Sequence, residues 1–534
     1  MNKLYLLVVL SFLQTAIKSQ HVQKVTSINY YGNNGLNPRD ITVFNNKLYF
    51  FGTDEKVYVD KLMASDGTEA GTTVIKTIDS AKGYTELQNL TILNNLLIFN
   101  NLNQLWKSDG TTAGTGLLAS VKMGSANFAI LNNKLYFAAD NTNSSPIKDQ
   151  LWQTDGTVAG TVLFKTINPS GAAGIANLFV AGGKIYFNAS NGINTDQLWV
   201  SDGTPAGTVQ QKIINPTGRA FPNNFISYNL KVYFSANNGV NGEQIWESDG
   251  TTLGTVKITQ INSPGYGLSP RSFINFNGKL FFNGFDTGSH YQLFATDGTA
   301  AGTVKIKTDY SVVNGTLGFN PTSMVVHKNK LYFAGYDSIT RFDQLWVSDG
   351  TTAGTVRVTA STKALYPSKL YSFQNMIVMT AYDTINKSTQ LWVSDGTASG
   401  TSCPKPPDTW SSYPFYPFER FVPFNNALYF RAAYSYFSDY QLCRYSELPA
   451  GIAVAKQNKV SVYPNPAKTN FKINSEKEII SFRIIAMDGR IAKTVNHPSG
   501  NLVLVDELSP GIYQLEVEDL DGIKYFSRFV KSEN

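Results

Sequence analysis

Residues 104–115 read QLWKSDGTTAGT, and this stretch decides the fold because it returns along most of the chain. Its Ser/Thr-Asp-Gly-Thr core occurs eight times, and each copy continues as two variable residues followed by Gly-Thr. Successive copies are 43 to 52 residues apart, a period typical of repeat proteins in which each repeat is one small sheet. The aspartates of the eight copies are Asp66, Asp109, Asp155, Asp202, Asp249, Asp297, Asp349 and Asp395.

A turn followed by an apolar run precedes each copy, as in residues 45–50 (NNKLYF). Nine such runs occur, and the ninth is followed by residues 441–446 (QLCRYS), a diverged form of the same signature. Asn-Asn, Asn-Gly and Asp-Gly between apolar runs predict hairpins, because Asn, Asp and Gly tolerate a positive φ. One unit is therefore predicted to hold four short antiparallel strands.

The apolar runs do not alternate with polar residues, so both faces of each sheet must be covered. Radial stacking of neighbouring sheets achieves this, and the chain is predicted to be all-β, a large β-propeller followed by a small Ig-like β-sandwich. Nine hairpins indicate nine blades, while eight blades plus an irregular unit remains an alternative. Residues 21–29 (HVQKVTSIN) resemble the last strand of a unit, residues 73–79, and are predicted to complete the final blade.

Composition excludes several classes of protein. The chain has 534 residues, of which 16% are charged and 13% aromatic, which excludes intrinsic disorder. The net charge is only +6 and no run of five basic residues occurs, so no nucleic-acid partner is expected. The four histidines lack HxH or HExxH spacing and there are only two cysteines, so neither a metal site nor a cofactor is predicted.

The recurring Asp-Gly-Thr segment is interpreted as a structural turn. An Asp carboxylate accepts a backbone N–H two residues on, and the following Gly supplies the left-handed conformation. The alternative, a ring of calcium sites, requires six to eight oxygen ligands, and each turn offers one carboxylate. These eight aspartates are therefore predicted to be architectural.

Hairpin topology separates two ends of the sheets. The turn end carries the Asn-Asn and Asp-Gly-Thr turns, and the connection end carries the variable loops and the links between units. Function concentrates in variable loops on a rigid frame, so the connection end is the predicted binding surface. One link on it, residues 410–418 (WSSYPFYPF), is rich in aromatic residues. The candidate ligand-contacting residues are Trp410, Tyr413, Phe415 and Tyr416, with packing in the last blade or against the following domain as the alternative role.

Two further interpretations stay open. Cys403 and Cys443 lie 40 residues apart in neighbouring units, so a disulfide is one interpretation and a small core residue at Cys443 the other. No catalytic motif is found, and a non-enzymatic binding protein is the leading hypothesis. The alternative is a secreted glycan-degrading enzyme, for which the acids after the hairpins are the candidate carboxylates: Asp54, Asp140, Asp286, Asp337 and Asp383.

The N-terminus has the features of a secretory signal peptide. A short basic start precedes ten apolar residues, 4–13, which are too few to span a bilayer. The predicted cleavage point is Ser19-Gln20, which makes residues 1–19 the signal peptide. No later stretch is apolar enough for a transmembrane segment.

The repeats resemble a known family. QLWxSDGTxAGT is similar to the ELWxxDGTxxGT repeat of exported Bacteroidetes proteins, over residues 37 to 453, with Gln where that family has Glu. The resemblance implies a propeller-like array and an exported protein.

The C-terminal residues carry a second resemblance. Five motifs in order resemble the type A C-terminal sorting domain of the type IX secretion system: residues 462–466, 471–473, 484–490, 508–513 and 524–531. The resemblance implies handling by the type IX machinery, passage through the periplasm and outer membrane of a Gram-negative bacterium, and release or surface attachment. Arg490 and Lys531 match family positions, and Asp488 replaces the common Asn. The predicted domains are 20–455 for the propeller and 456–534 for sorting, with glycan or a surface protein as the expected ligand.

Overall fold

The chain forms two compact units, Gln20–Glu447 and Leu448–Asn534, each considered by itself. The described residues contain strands and turns, and no helix among them is long and apolar enough to cross a membrane. The computed structural model describes residues 19–27, 35–53, 59–78, 87–124, 127–142, 145–261, 267–288, 290–307, 318–359, 365–383, 388–404, 421–433, 440–448, 460–475, 478–486, 490–498, 500–520 and 524–533.

The first unit contains nine antiparallel sheets within these described ranges, and we number them in chain order. The strands of the first five sheets, together with the N-terminal strand, are β1 (Ser19–Lys24), β2 (Arg39–Phe44), β3 (Lys47–Thr53), β4 (Asp60–Ser65), β5 (Thr73–Thr77), β6 (Gln88–Leu93), β7 (Leu96–Asn101), β8 (Gln104–Ser108), β9 (Gly116–Ala119), β10 (Lys122–Met123), β11 (Ala129–Leu131), β12 (Lys134–Asp140), β13 (Gln150–Thr154), β14 (Val162–Lys165), β15 (Ala176–Ala181), β16 (Lys184–Ala189), β17 (Gln197–Ser201), β18 (Val209–Lys212), β19 (Asn223–Tyr228), β20 (Lys231–Asn237), β21 (Glu243–Ser248) and β22 (Val256–Lys257).

Sheet 1 is β2–β5, sheet 2 is β6–β9, sheet 3 is β10–β14, sheet 4 is β15–β18 and sheet 5 is β19–β22. The strands of sheets 6 to 9 are β23 (Arg271–Phe276), β24 (Lys279–Phe285), β25 (Tyr291–Thr296), β26 (Val304–Lys307), β27 (Thr322–His327), β28 (Lys330–Asp337), β29 (Phe342–Ser348), β30 (Val356–Arg357), β31 (Ser368–Phe373), β32 (Met376–Asp383), β33 (Ser388–Ser394), β34 (Val422–Phe424), β35 (Ala427–Ala433) and β36 (Tyr440–Leu448). Sheet 6 is β23–β26, sheet 7 is β27–β30, sheet 8 is β31–β33, and sheet 9 is β34–β36 together with β1.

The predicted four-strand unit is confirmed in most sheets, with the predicted residues in the turns. Asn45 and Asn46, between β2 and β3, have φ values of 45° and 56°, which Asn tolerates better than most residues. Gly67, between β4 and β5, has a φ of 95°, which only glycine adopts without strain. Turn chemistry and apolar runs together therefore determine where the strands end.

A β-bulge recurs in the first strand of most sheets of the first unit. The register shifts between Arg39 and Thr42 in sheet 1, and the residue inside the shift, Asp40, has a φ of 52°. The residues at the same point in other sheets, which also have positive φ, are Asn89, Asn177, Asn224, Ser272, Ser323 and Lys369. The bulge bends each first strand in the same way.

Hydrophobic clusters join each sheet of the first unit to the next. Phe187 and Trp199 of sheet 4, for example, pack with Tyr136 and Leu151 of sheet 3. Sheet 9 packs in turn on sheet 1, where Tyr429 and Leu442 share a cluster with Phe50 and other residues. The tryptophan of the repeat lies within these clusters: Trp346 is 5% exposed and makes an Nε1–H hydrogen bond of 3.0 Å to the Gly335 carbonyl.

The N-terminal strand completes the last sheet, as predicted. β1 pairs with β36 and occupies the place of a fourth strand. Val22 and Val25 are 1% and 7% exposed, and the Thr26 hydroxyl donates to Gln441 Oε1 at 2.7 Å. Ser19 and Gln20, at the predicted cleavage point, begin this strand, while residues 1–18 lie outside the described ranges.

The second unit contains two antiparallel sheets around one hydrophobic cluster that includes Phe471, Phe482, Leu515 and Phe529. Its predicted boundary at 455/456 lies outside the described residues. The strands are β37 (Ser461–Tyr463), β38 (Asn470–Asn474), β39 (Ile479–Ala486), β40 (Ile491–Asn496), β41 (Leu502–Leu504), β42 (Gly511–Asp519) and β43 (Lys524–Lys531). One sheet has the order β37-β38-β41 and the other β40-β39-β42-β43.

Candidate functional site

The aspartate of each Asp-Gly-Thr turn is engaged by its own turn. In sheet 2, Asp109 Oδ1 accepts the Thr111 N–H at 2.8 Å and the Thr111 hydroxyl at 2.7 Å. These hydrogen bonds hold the pKa of Asp109 below its usual value. The same two bonds recur in the other seven copies, from Asp66 to Asp395. Among the described residues, no three His, Cys, Asp or Glu side chains gather where they could hold a metal ion.

These turns also meet the neighbouring sheet. A Cβ built on Gly110 would lie 2.4 Å from the Tyr49 hydroxyl oxygen of sheet 1, and one on Gly67 2.3 Å from that of Tyr429 in sheet 9. Burial, with a contribution from Asp109, raises the pKa of Tyr49. The glycine thus allows the tyrosine of one sheet to pack on the turn of the next.

Several predicted residues fall outside the described part of the chain or stay predictions. Trp410, Tyr413, Phe415 and Tyr416 all lie outside the described residues, so their proposed ligand contact stays a prediction. The buried Cys443 thiol donates to the Gln441 carbonyl at 3.6 Å, and Cys403 is half-buried. A disulfide between these two cysteines also stays a prediction.

The acids considered for glycan cleavage organise their own loops wherever the structure describes them. Asp140 Oδ1 accepts the Thr142 N–H and hydroxyl at 2.7 and 2.6 Å. Asp286 forms an ion pair with Lys305 at 3.2 Å. Asp337 forms one with Arg357 at 2.5 Å. Asp54 and the side chain of Asp383 lie outside what the structure describes.

A second set of acids occupies the connection end, at the strand position two residues before the Leu of the Leu-Trp motif. Asp149 accepts the N–H groups of Gly174 and Ile175 at 3.1 and 2.9 Å. Asp196 forms an ion pair with Arg219 at 3.2 Å. Asp60 accepts the Leu87 N–H and forms an ion pair with Arg39. Glu243 accepts hydrogen bonds from the Ser235 and Ser269 hydroxyls.

Asp343, the fifth acid of this set, differs: its carboxylate makes no hydrogen bond or ion pair with any residue that the structure describes. The reason is local. Pro367 stands where Ile175 donates to Asp149, and proline has no N–H. Tyr366 stands where Ser269 donates its hydroxyl to Glu243, and the Tyr366 N–H donates to the Asp343 main-chain oxygen at 3.1 Å.

Aromatic side chains from the neighbouring strand and from the following link lie close to Asp343. Tyr336 lies directly opposite Asp343 on the neighbouring strand, so the two side chains share a face of sheet 7. The Phe342 and Tyr366 ring centroids are 5.8 Å apart at 73°, and those of Tyr366 and Tyr382 are 6.3 Å apart at 80°. We call Tyr336, Phe342, Asp343, Tyr366 and Tyr382 the aromatic–acid cluster.

The cluster has features of a site rather than of a core. Tyr366 is 46% exposed and has a φ of 43°, a backbone conformation that is strained for an aromatic residue. The equivalent position is occupied by Asn or Ser in sheets 1, 6 and 7. Burial raises the pKa of Asp343, and burial together with the nearby Asp343 charge raises that of Tyr366. Strain and a perturbed carboxyl group in an accessible cluster are typical of functional sites.

Sequence comparison identifies the second unit. Residues 461–532 match the family described as the secretion system C-terminal sorting domain. This chain carries a sorting domain. The matched residues include both sheets of the second unit. The match supports the conclusion that the protein is secreted or attached to the cell surface and is handled by the type IX machinery. No curated protein matches the chain.

Among solved structures, puromycin hydrolase is similar over 67% of this chain and 59% of its own length, at 11% identity and a TM-score of 0.33. A prolyl endopeptidase is similar over 68% and 55%, at 11% identity and a TM-score of 0.37. The extracellular domain assigned to a one component system of B. thetaiotaomicron is similar over 93% and 86%, at 10% identity and a TM-score of 0.25. The chain thus spans less than two thirds of the two hydrolases.

A cavity of about 440 Å³ lies at the turn end of sheets 4 and 5. Its polar groups are engaged: Lys184 Nζ donates to the Gly250 carbonyl at 3.2 Å, and Lys231 pairs with Glu247 at 2.6 Å. Leu230, on its rim, is fully exposed with a φ of 61°.

We expect Asp343→Asn to raise the free energy of unfolding at pH 7 by about 1 kcal/mol, because it removes a desolvated charge. Asp149→Asn, the matched control, should lower it by about 1–3 kcal/mol, since Asp149 accepts two backbone N–H groups. Urea unfolding midpoints at pH 7 provide the measurement. Equal signs for the two variants would contradict the assignment of Asp343 as unpartnered.

The pH dependence follows from the raised pKa of Asp343. The folded state holds this proton more tightly than the unfolded state, so the cost of the charge is complete above the raised pKa and disappears below the ordinary value of about 3.9. The nearby Tyr366, whose pKa is raised by burial and by the Asp343 charge, stays neutral throughout this range. The gain from Asp343→Asn should therefore shrink toward zero as the pH falls to about 3.5.

Proposed function

We propose that the first unit is a nine-bladed β-propeller that the type IX machinery delivers, through the periplasm, to the medium or the cell surface. There it binds a glycan or a surface protein without catalysing a reaction. The cyclic order of the hydrophobic clusters, with sheet 9 packed on sheet 1 through Tyr429 and Phe50, supports the propeller. The family match of residues 461–532 supports the export route.

One observation carries the binding function. The aromatic–acid cluster places a partly exposed, strained Tyr366 beside an unpartnered carboxylate on the end of the sheets that carries the variable links. Strain and desolvation both cost stability, and a fold retains them where a ligand uses them. The described acids Asp140, Asp286 and Asp337 are held by their own loops, which favours binding over hydrolysis.

We expect the mature chain to bind at least one ligand in a screen of glycans, surface proteins and bacterial cells, and Tyr366→Ser to weaken that binding at least about tenfold. Leu230→Asn is the matched control, because it also replaces an exposed apolar residue at positive φ but lies at the turn end. The proposed function fails if the mature chain binds nothing. The proposed site fails if Leu230→Asn weakens binding as much as Tyr366→Ser.

A further inference from the structure

The molecule contains a second copy of the geometry around Asp343, between sheets 4 and 5. Phe221 donates its N–H to the Asp196 carbonyl at 3.1 Å, just as Tyr366 donates to Asp343. Phe221 has a φ of 49° and precedes Pro222, as Tyr366 precedes Pro367. Asp196 and Phe221 are therefore structurally equivalent to Asp343 and Tyr366.

In that second copy a cation of the chain lies between the acid and the ring. Arg219 Nε is 3.2 Å from Asp196 Oδ2, and its guanidinium carbon is 5.6 Å from the Phe221 ring centroid. Arg219 lies two residues before Phe221, and the residue two before Tyr366 is Ala364, which is outside the described residues. The sequence thus replaces the cation with a methyl group while the acid and an aromatic ring stay in place.

Cations over aromatic rings recur at this end of the sheets. The Arg271 guanidinium carbon is 4.4 Å from the Tyr291 ring centroid in sheet 6, and that of Arg431 is 5.1 Å from the Tyr440 ring in sheet 9. Tyr291 and Tyr440 occupy the same strand position as Asp343. Three places at this end of the sheets therefore hold a guanidinium against an aromatic ring, and each takes it from the chain itself.

We infer that the aromatic–acid cluster binds an external organic cation, a guanidinium or alkylammonium group, in the place that Arg219 fills between Asp196 and Phe221. The inference rests on the proposed binding function and names its ligand chemistry. The ligand supplies the positive charge for Asp343, and the faces of Tyr336, Tyr366 and Tyr382 supply cation–π attraction. Arg341, the closest described cation in sequence, is exposed and forms no ion pair with Asp343.

The geometry favours an organic cation over a metal ion or a sugar ring. A hard metal ion requires six or more oxygen ligands, and the cluster offers one carboxylate and no second acid. A sugar stacks on a flat exposed ring face, whereas the rings here stand at 73° and 80° to one another and form a corner. A compact charged head group fits such a corner.

Titration calorimetry of the mature chain with ethylguanidinium chloride tests the inference, with N-ethylurea as the neutral isostere at equal ionic strength. We expect one site, at least about tenfold weaker binding of N-ethylurea, and a similar loss in Asp343→Asn. Tyr366→Leu should weaken binding severalfold, while Tyr366→Phe, which keeps the ring, should not. The cation could belong to a protein side chain or to a small molecule, and an arginine peptide with its citrulline counterpart distinguishes these two sources. Tighter binding of the arginine peptide than of ethylguanidinium indicates a protein partner.

Three further variants serve as internal controls. Ala364→Arg restores, by sequence position, an arginine two residues before the ring and should abolish ethylguanidinium binding. Arg219→Ala empties the equivalent junction and should raise the stoichiometry from one site to two. Asp149→Asn, at a junction whose acid is satisfied by backbone N–H groups, should leave binding unchanged.

Several results would overturn the inference. One is equal binding of ethylguanidinium and N-ethylurea, and another is unaltered binding in Asp343→Asn. A third is binding that appears only in Lys363→Met, which would make Lys363, outside the described residues, the chain's own counter-ion. If Tyr366→Ser still weakens binding of a macromolecule while ethylguanidinium fails to bind, the ligand chemistry is wrong and the proposed function stands.

Discussion

A chain shortened to begin at residue 28 is expected to lose about 3–6 kcal/mol of the free energy of unfolding of the first unit, because β1 and residues 25–27 that follow it are missing. Val22 and Val25 are almost fully buried, and burial of one valine side chain contributes about 1.5–3 kcal/mol. Deletion of Thr26 also removes the hydrogen bond from Leu442 N–H to Thr26 Oγ1. Deletion of β1 exposes the edge of β36.

This deletion should affect more than one sheet. Val25 belongs to the cluster between sheets 9 and 1, whereas Val22 belongs to the cluster between sheets 8 and 9. We therefore expect a lower urea midpoint together with faster hydrogen exchange in sheets 8, 9 and 1. Val22→Ala with Val25→Ala should reproduce much of the loss, and Ser27→Ala, at an exposed position, should not. Wild-type stability of the shortened chain would show that β1 and the residues after it contribute nothing to the stability of the first unit.

The strands and hairpins of the first unit could be predicted because their signals are local. Asn-Asn and Asp-Gly turns set the backbone conformation within two residues, and apolar runs between them mark the buried strands. The pairing of β1 with β36 was also predictable, since residues 21–29 resemble the outer strand of a unit. Repetition supplied the long-range information that a single unit lacks.

The bulges were not predicted, because no residue type identifies them. Asp40, Asn89, Ser272 and Lys369 share a positive φ but little chemistry, and the bulge follows from how each first strand meets its neighbours. The Asn residues among them tolerate this conformation, whereas Lys369 adopts it only because the surrounding sheet imposes it.

The aromatic–acid cluster was missed for a different reason. It brings together residues from β28, β29, β32 and the link before β31, so no single motif contains it. A usable signal was nevertheless present in the repeat itself. Tyr366 stands before a proline where sheets 1, 6 and 7 have Asn or Ser, and Ala364 stands where sheet 5 has Arg219. Departures from a repeat, rather than its shared residues, indicate the site.

The turn in sheet 2 yields the second large prediction, Gly114→Ala. A Cβ at Gly114 would lie 2.0 Å from Asp109 Oδ1, so the carboxylate must move and release Thr111. Loss of the two hydrogen bonds with added strain should cost about 2–3 kcal/mol. Gly116→Ala is the matched control, because nothing lies within 4 Å of its Cβ position and its φ is not in the left-handed region. That change should be neutral or stabilising by up to about 1 kcal/mol.

A double-mutant cycle separates this clash from a general intolerance of the turn. Asp109→Ala removes the carboxylate and should cost about 1–2 kcal/mol on its own, since an exposed turn loses two hydrogen bonds. In that background the Cβ of Gly114→Ala has no carboxylate to displace, so its further cost should fall close to zero. Unfolding midpoints of the four proteins give an interaction energy of about 2 kcal/mol if the contact is responsible. Additive costs would mean that Gly114 is required for its backbone, and that the aspartate of the repeat and the glycine five residues later act independently.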